Sequence, residues 1–126
     1  MQLSGLFLTL SLLIFACSNK DNAEDQDKVA LKELETEITK LIEDKTCENS
    51  GQCMYIAFGS KPCGGPYKYL IFSAAKTDTS LLRKKVFAYN TLQESINLKY
   101  KLVSDCSIPA VPVVSCVQGE CREAEN

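Results

Sequence analysis

Six cysteines, Cys47, Cys53, Cys63, Cys106, Cys116 and Cys121, are spread over the last 80 residues of this chain, and there is no histidine anywhere in it. Such a set marks a disulfide framework if the chain is exported, and thiol or metal chemistry if it stays in a reducing compartment. The N-terminus decides between these. Met1 to Ala16 carries no charged side chain, and Leu6 to Ala16 is almost continuously apolar. That run is shorter than the roughly 20 residues of a bilayer span and ends on a small residue, so residues 1–16 read as a cleaved export signal. The cysteines then face oxidising conditions. "CENSGQC" and "CVQGEC" each enclose a short glycine-containing loop. Cys47–Cys53 and Cys116–Cys121 are therefore expected to close locally, leaving Cys63 to meet Cys106. A crossed arrangement of the four outer cysteines is the alternative.

The seventh cysteine, Cys17, follows Ile14-Phe15-Ala16 at the signal's end. This stretch resembles the lipobox of bacterial lipoproteins, in which a lipid is attached to the cysteine sulfur and the peptide is cut just before it. The resemblance implies a lipid-anchored protein of the cell envelope, held at the outer membrane on its periplasmic or surface side. The residues that follow, "SNKDNAEDQDK", are polar and charged, so residues 17–27 are expected to be a lipidated cysteine with a disordered tether. A flexible tether of that length would separate lipid and domain by about 18 Å. The acidic pattern after Cys17 also resembles the surface-export signal of lipoproteins in Bacteroidota.

Residues 28–126 remain, enough for one small domain. The formal net charge is −2 but is unevenly spread: ten acids against five bases from Ser18 to Ser50, then six acids against nine bases. No basic run interleaved with aromatics accompanies the second half, so nucleic acid is not an expected partner. Arg83-Lys84-Lys85 reads as a solvated helix face.

The stretch from Ser60 to Tyr67, "SKPCGGPY", sets one cysteine among chain-bending residues. A metal role for Cys63 lacks both a CxxC pair and a histidine. A nucleophile's role lacks the commonest base. Cys63 therefore reads as a staple. Pro62 and Pro66 fix φ, while Gly64 and Gly65 permit positive φ, so the disulfide would pin a sharply turned loop. Ser60, Lys61, Pro62, Gly64, Gly65, Pro66 and Tyr67 are the candidate recognition surface, with Lys61 the residue that a protease-inhibitor reading would use.

Leu31, Leu34, Ile38, Leu41 and Ile42 recur at helical spacing, predicting an amphipathic helix ending near Asp44. "CMYIAFG" and "YKYLIFSA" are rich in aromatic and β-branched residues on either side of the Gly59 to Pro66 turn, and predict paired strands. Asp78 is an expected N-cap for a long helix with Leu82, Val86, Tyr89, Ile96 and Tyr100 on one face. Pro109 and Pro112 confine the last β-branched run to an edge strand leading into a hairpin at Gly119. An α+β domain follows: a small antiparallel sheet with two helices on one face, stapled by three disulfides.

The frame C-x5-C, "GSKPCGGPYKYLIFS", a long helix containing "YN", "SDC" at Ser104 to Cys106, and a closing C-x4-C resembles small exported bacterial proteins with no established activity. The resemblance covers Cys47 to Cys121. It implies a fold and the pairing of Cys63 with Cys106, and no functional residues.

Enzymatic sets are sparse. Beyond Ser50 the carboxylates are Asp78, Glu94, Asp105, Glu120, Glu123 and Glu125; only Asp105, beside Cys106, sits where its placement would be fixed. Ser60, Ser73, Ser104 and Ser107 have no histidine to activate them, and "GGP" lacks the lysine and helix start of a phosphate loop. The expectation is a non-enzymatic module without cofactor or metal, anchored to the membrane through lipid and binding an envelope or extracellular protein or glycan. The alternatives are a thiol-active or metal-handling envelope protein, or a disulfide-rigid protease inhibitor.

Overall fold

A computed structural model describes residues 20–124; residues 1–16, expected to be an export signal, and Cys17 lie outside them. The elements run α1 (Lys20–Leu41), β1 (Cys53–Phe58), β2 (Lys68–Ser73), α2 (Thr79–Tyr100), β3 (Val114–Val117) and β4 (Glu120–Glu123). Asp78 caps α2, accepting a hydrogen bond from the Leu81 amide at 3.0 Å, and Lys101 closes it in the left-handed conformation.

The α+β class holds, with the strands divided between two antiparallel hairpins, β1-β2 and β3-β4. In the first, Ile56 lies opposite Leu70 and Phe58 opposite Lys68. Alternation puts Ile56, Phe58, Leu70 and Phe72 on one face. That face packs against the helices: Ile38 from α1 and Ile42 just beyond its end, Leu82, Val86 and Tyr89 from α2, and Phe58 and Phe72 form the core. Phe58 stacks on Tyr89 with ring centroids 4.2 Å apart. The second hairpin turns through Gln118 and Gly119, both at positive φ, the conformation of a two-residue hairpin turn. It gains a short third edge from Lys45 to Cys47, where Cys121 N donates to Lys45 O at 2.9 Å and Cys47 N to Gly119 O at 3.0 Å.

Two expectations are corrected. Lys20 to Asp27 is helix, not tether. Polarity prevents burial but not helix formation: Glu24 and Lys28 pair at 2.8 Å one turn apart, a spacing that supports a solvated helix. The Asp27 carboxylate accepts from Lys99 Nζ at 2.8 Å and Tyr100 Oη at 2.9 Å. These bonds tie the start of α1 to the end of α2 and hold Asp27 below the usual carboxylate range.

The outer cysteines are crossed, as Cys47–Cys116 and Cys53–Cys121, rather than closed locally, while Cys63–Cys106 is formed. The cause lies in the second hairpin. Cys116 and Cys121 face one another across β3 and β4, yet each reaches outward, Cys116 to the segment beside β4 and Cys121 to the first residue of β1. Both bonds close loops of nearly 70 residues. In the chain-entropy picture such a loop is worth about 4 kcal/mol, against about 2 kcal/mol for a six-residue loop.

Candidate functional site

The candidate loop is built from the end of β1. Strand pairing stops at Phe58, and the chain is then held by a row of side-chain amides on α2. Gly59 N donates to Asn90 Oδ1 at 2.8 Å, Ser60 N donates to Gln93 Oε1 at 2.6 Å, and Asn97 Nδ2 donates to Ser60 O at 2.8 Å. Positions 90, 93 and 97 share one helix face, so the amide row does for this loop what a neighbouring strand would do. A Cβ on Gly59 (φ 87°) would lie 2.8 Å from the Tyr67 ring, so only glycine fits there.

Beyond Ser60 the chain turns back on itself, with Gly64 N donating to Lys61 O and Lys61 N to Gly65 O, both at 2.9 Å. Lys61 points inward and is only 7 % exposed. Its ammonium donates to Asp105 Oδ1 at 2.6 Å and to Ser107 O at 2.7 Å, and lies 5.8 Å from the centre of the Tyr67 ring. Asp105 also accepts from the Ser107 amide at 3.0 Å and from the Ser107 hydroxyl. Cys63 N donates to Ser104 Oγ at 3.3 Å, beside the Cys63–Cys106 bond. Two loops distant in sequence, 59–67 and 104–107, are thus locked by an ion pair, a disulfide and a set of hydrogen bonds.

This geometry redistributes the expected roles. Cys63 is a staple, and Asp105 is held in place as its position beside Cys106 suggested. Lys61 is not a specificity residue: its charge is buried and satisfied within the molecule, and the inhibitor reading loses the side chain it needed. Cys63, Gly64, Gly65 and Tyr67 are exposed, while Ser60, Pro62 and Pro66 are half-buried. The loop's outward surface is therefore backbone, disulfide and aromatic ring. The amide row was missed, although Asn90, Gln93 and Asn97 stand at readable helical spacing beside the apolar positions.

Lys61, followed by Ser107, lowers the Asp105 pKa from 3.8 to about 2. A carboxylate whose folded pKa is depressed contributes stability that is fully present above its unfolded value and is lost as pH falls through the folded one. Wild-type stability should therefore fall between about pH 4 and pH 2. Asp105→Asn, measured by denaturant midpoint across that range, should show a shallower fall. An identical acid profile would remove Asp105 from the network.

Small-molecule chemistry finds little support at the loop. The depression beside it, lined by Glu35, Phe58, Gly59, Tyr67 and Lys68 among others, holds 230 Å³, below the roughly 300 to 1,000 Å³ of ligand pockets. Larger grooves of 510 and 530 Å³ run along α1 among solvated charges. The sulfurs of Cys47, Cys53 and Cys121 gather within 4.8 Å of one another. They are neighbours because two disulfides lie side by side, and a disulfide sulfur is not the thiolate that binds metal.

No family model matches this chain, nor does any curated protein or solved structure. Among the described residues, no helix is long and apolar enough to cross a membrane.

Proposed function

We propose that this chain is a lipid-anchored protein of the cell envelope, exported by residues 1–16, held through Cys17, and acting as a non-enzymatic interaction module. The observation that carries the reading is the double lock on the two loops. The side chains with chemical potential there, Lys61, Asp105, Cys63 and Cys106, are all engaged with one another or with Ser107. What is offered outward is a rigid, ordered surface, which suits recognition because little freedom is lost on contact. The short apolar N-terminal run, the Ile14 to Cys17 stretch and the three disulfides support export and anchoring together.

A second reading is favoured by one feature: Cys63 and Cys106 are both exposed, and an exposed disulfide is open to attack by an external thiolate. The domain would then be a thiol-active envelope protein. A free-thiol count with non-reduced peptide mapping on the exported chain separates the two. The module reading expects no free thiol in the domain and three peptides, Cys47–Cys116, Cys53–Cys121 and Cys63–Cys106. Free thiols at Cys63 and Cys106 would replace it with the thiol-active one.

A further inference from the structure

The bonds from Asp27 to Lys99 and Tyr100 fix which end of the molecule lies beside the first turns of α1: the end of α2 and the segment after it. That pole is unusually apolar on its outside. Leu98 is 75 % exposed, Val103 is 92 % and Ile108 is 72 %, with Leu102 also exposed. Single exposed apolar side chains are ordinary. Here four fall within one short segment whose backbone is held in place, by the Leu102 N to Asn97 O hydrogen bond at 2.9 Å on one side and by the Cys63–Cys106 bond on the other.

Their neighbours narrow the choice of partner. The order Leu98-Lys99-Tyr100-Lys101-Leu102-Val103 interleaves apolar residues with two lysines and a tyrosine. Lysine lays its methylene stem along apolar surroundings while its ammonium stays in water, and tyrosine has the same divided character. Both suit the boundary between lipid headgroups and acyl chains. A protein partner would more often meet an apolar centre with polar groups at its rim.

Reach is satisfied as well. The helix rises about 10 Å between Lys20 and Asp27, and the steps from Cys17 to Lys20 add at most about 11 Å. A lipid on Cys17 would thus lie within about 20 Å of the level of Asp27, close enough for the pole to reach the surface that holds the lipid.

We propose that this pole, Leu98 to Val103 with Ile108, rests on the lipid surface that holds the anchor, with Leu102 and Val103 entering the headgroup boundary and the lysines remaining at headgroup level. The inference rests on the reading that Cys17 carries lipid. It deepens the proposed function by naming the partner of the rigid pole, and it turns the second hairpin, at the far end of α1, away from the membrane.

The chain has no tryptophan, so a single introduced one reports its own surroundings. The full lipidated chain would be prepared as Val103→Trp and, separately, as Phe87→Trp, an exposed position on α2 about 20 Å from the pole. Each would be reconstituted into phosphatidylethanolamine/phosphatidylglycerol vesicles containing brominated phosphatidylcholine. Both sites are solvent-facing, and unchanged near-ultraviolet circular dichroism from the tyrosines would verify the fold. Val103→Trp is expected to show blue-shifted emission quenched about twofold or more by bromine, as befits a side chain at the headgroup and acyl boundary, and Phe87→Trp neither effect. Chains that float with the vesicles but show no quenching, or equal quenching at both sites, would overturn the contact and leave the anchor intact. Chains that do not float and whose N-terminal peptide lacks lipid mass would overturn the anchor and the inference with it.

Discussion

Replacing all four outer cysteines by alanine is expected to leave the domain largely unfolded at room temperature, whereas removing either outer disulfide alone is expected to cost about 3 kcal/mol. The difference follows from the crossed arrangement. With Cys47–Cys116 intact, Cys53 and Cys121 are already joined through the short path from Cys53 back to Cys47 and from Cys116 on to Cys121. The second bond then closes only about a dozen residues, worth about 3 kcal/mol, while the first closes nearly 70 and is worth about 4 kcal/mol. Losing both forfeits about 7 kcal/mol, comparable with the whole stability of a small domain. Denaturant unfolding of Cys53→Ala/Cys121→Ala and of the fourfold variant measures both steps. The thiol count gives a sharper reading: the crossed pairing predicts that Cys53→Ala/Cys121→Ala has no free thiol in the domain, and local pairing would leave two.

The disulfides matter this much because the apolar core is small. Seven buried residues from two helices, the turn after α1 and one hairpin compose it, and the second hairpin adds no large apolar side chain to it. Cys53 and Cys121, both buried, stand where such a side chain would otherwise connect β4 to the outer face of β1-β2. Cys63–Cys106 acts at the opposite pole, together with the amide row and Lys61.

Much of this fold was legible because it is periodic or local. The apolar positions from Leu31 to Ile42 and from Leu82 to Ile96 carry the helical period, Asp78 sits where a cap is needed, and Gly119 marks its hairpin. The misread parts share a different origin: they depend on what distant segments do. The pairing of Cys47 and Cys53 is settled by where β3 and β4 come to rest, and no short-range loop geometry contains that information. Lysines usually face solvent, and nothing near Lys61 in the sequence marks it as an exception. Its burial depends on Asp105 and Ser107, more than 40 residues away. The helical start of α1 has the polar composition of a tether, and the contacts of Asp27 at the far end of α2 lie outside any local window.

The anchor gives the other large expected effect. Each buried methylene contributes about 0.8 kcal/mol, so one acyl chain holds a protein only marginally and two or more hold it almost permanently. Full-length wild type should therefore be found essentially all with membranes, and Cys17→Ser, exported behind a conventional cleaved secretory signal in place of residues 1–16, essentially all in the soluble fraction, a near-complete transfer caused by loss of the lipid. The same substitution touches none of the contacts in residues 20–124, so the two proteins should unfold at the same denaturant concentration once extracted. The most direct measurement is the intact mass of the mature chain isolated from bacterial cells, with its N-terminal peptide sequenced by tandem mass spectrometry. The result expected is a chain beginning at Cys17 and carrying diacylglyceryl and acyl mass on that residue. A chain beginning elsewhere, or beginning at an unmodified Cys17 and recovered soluble, would contradict the account.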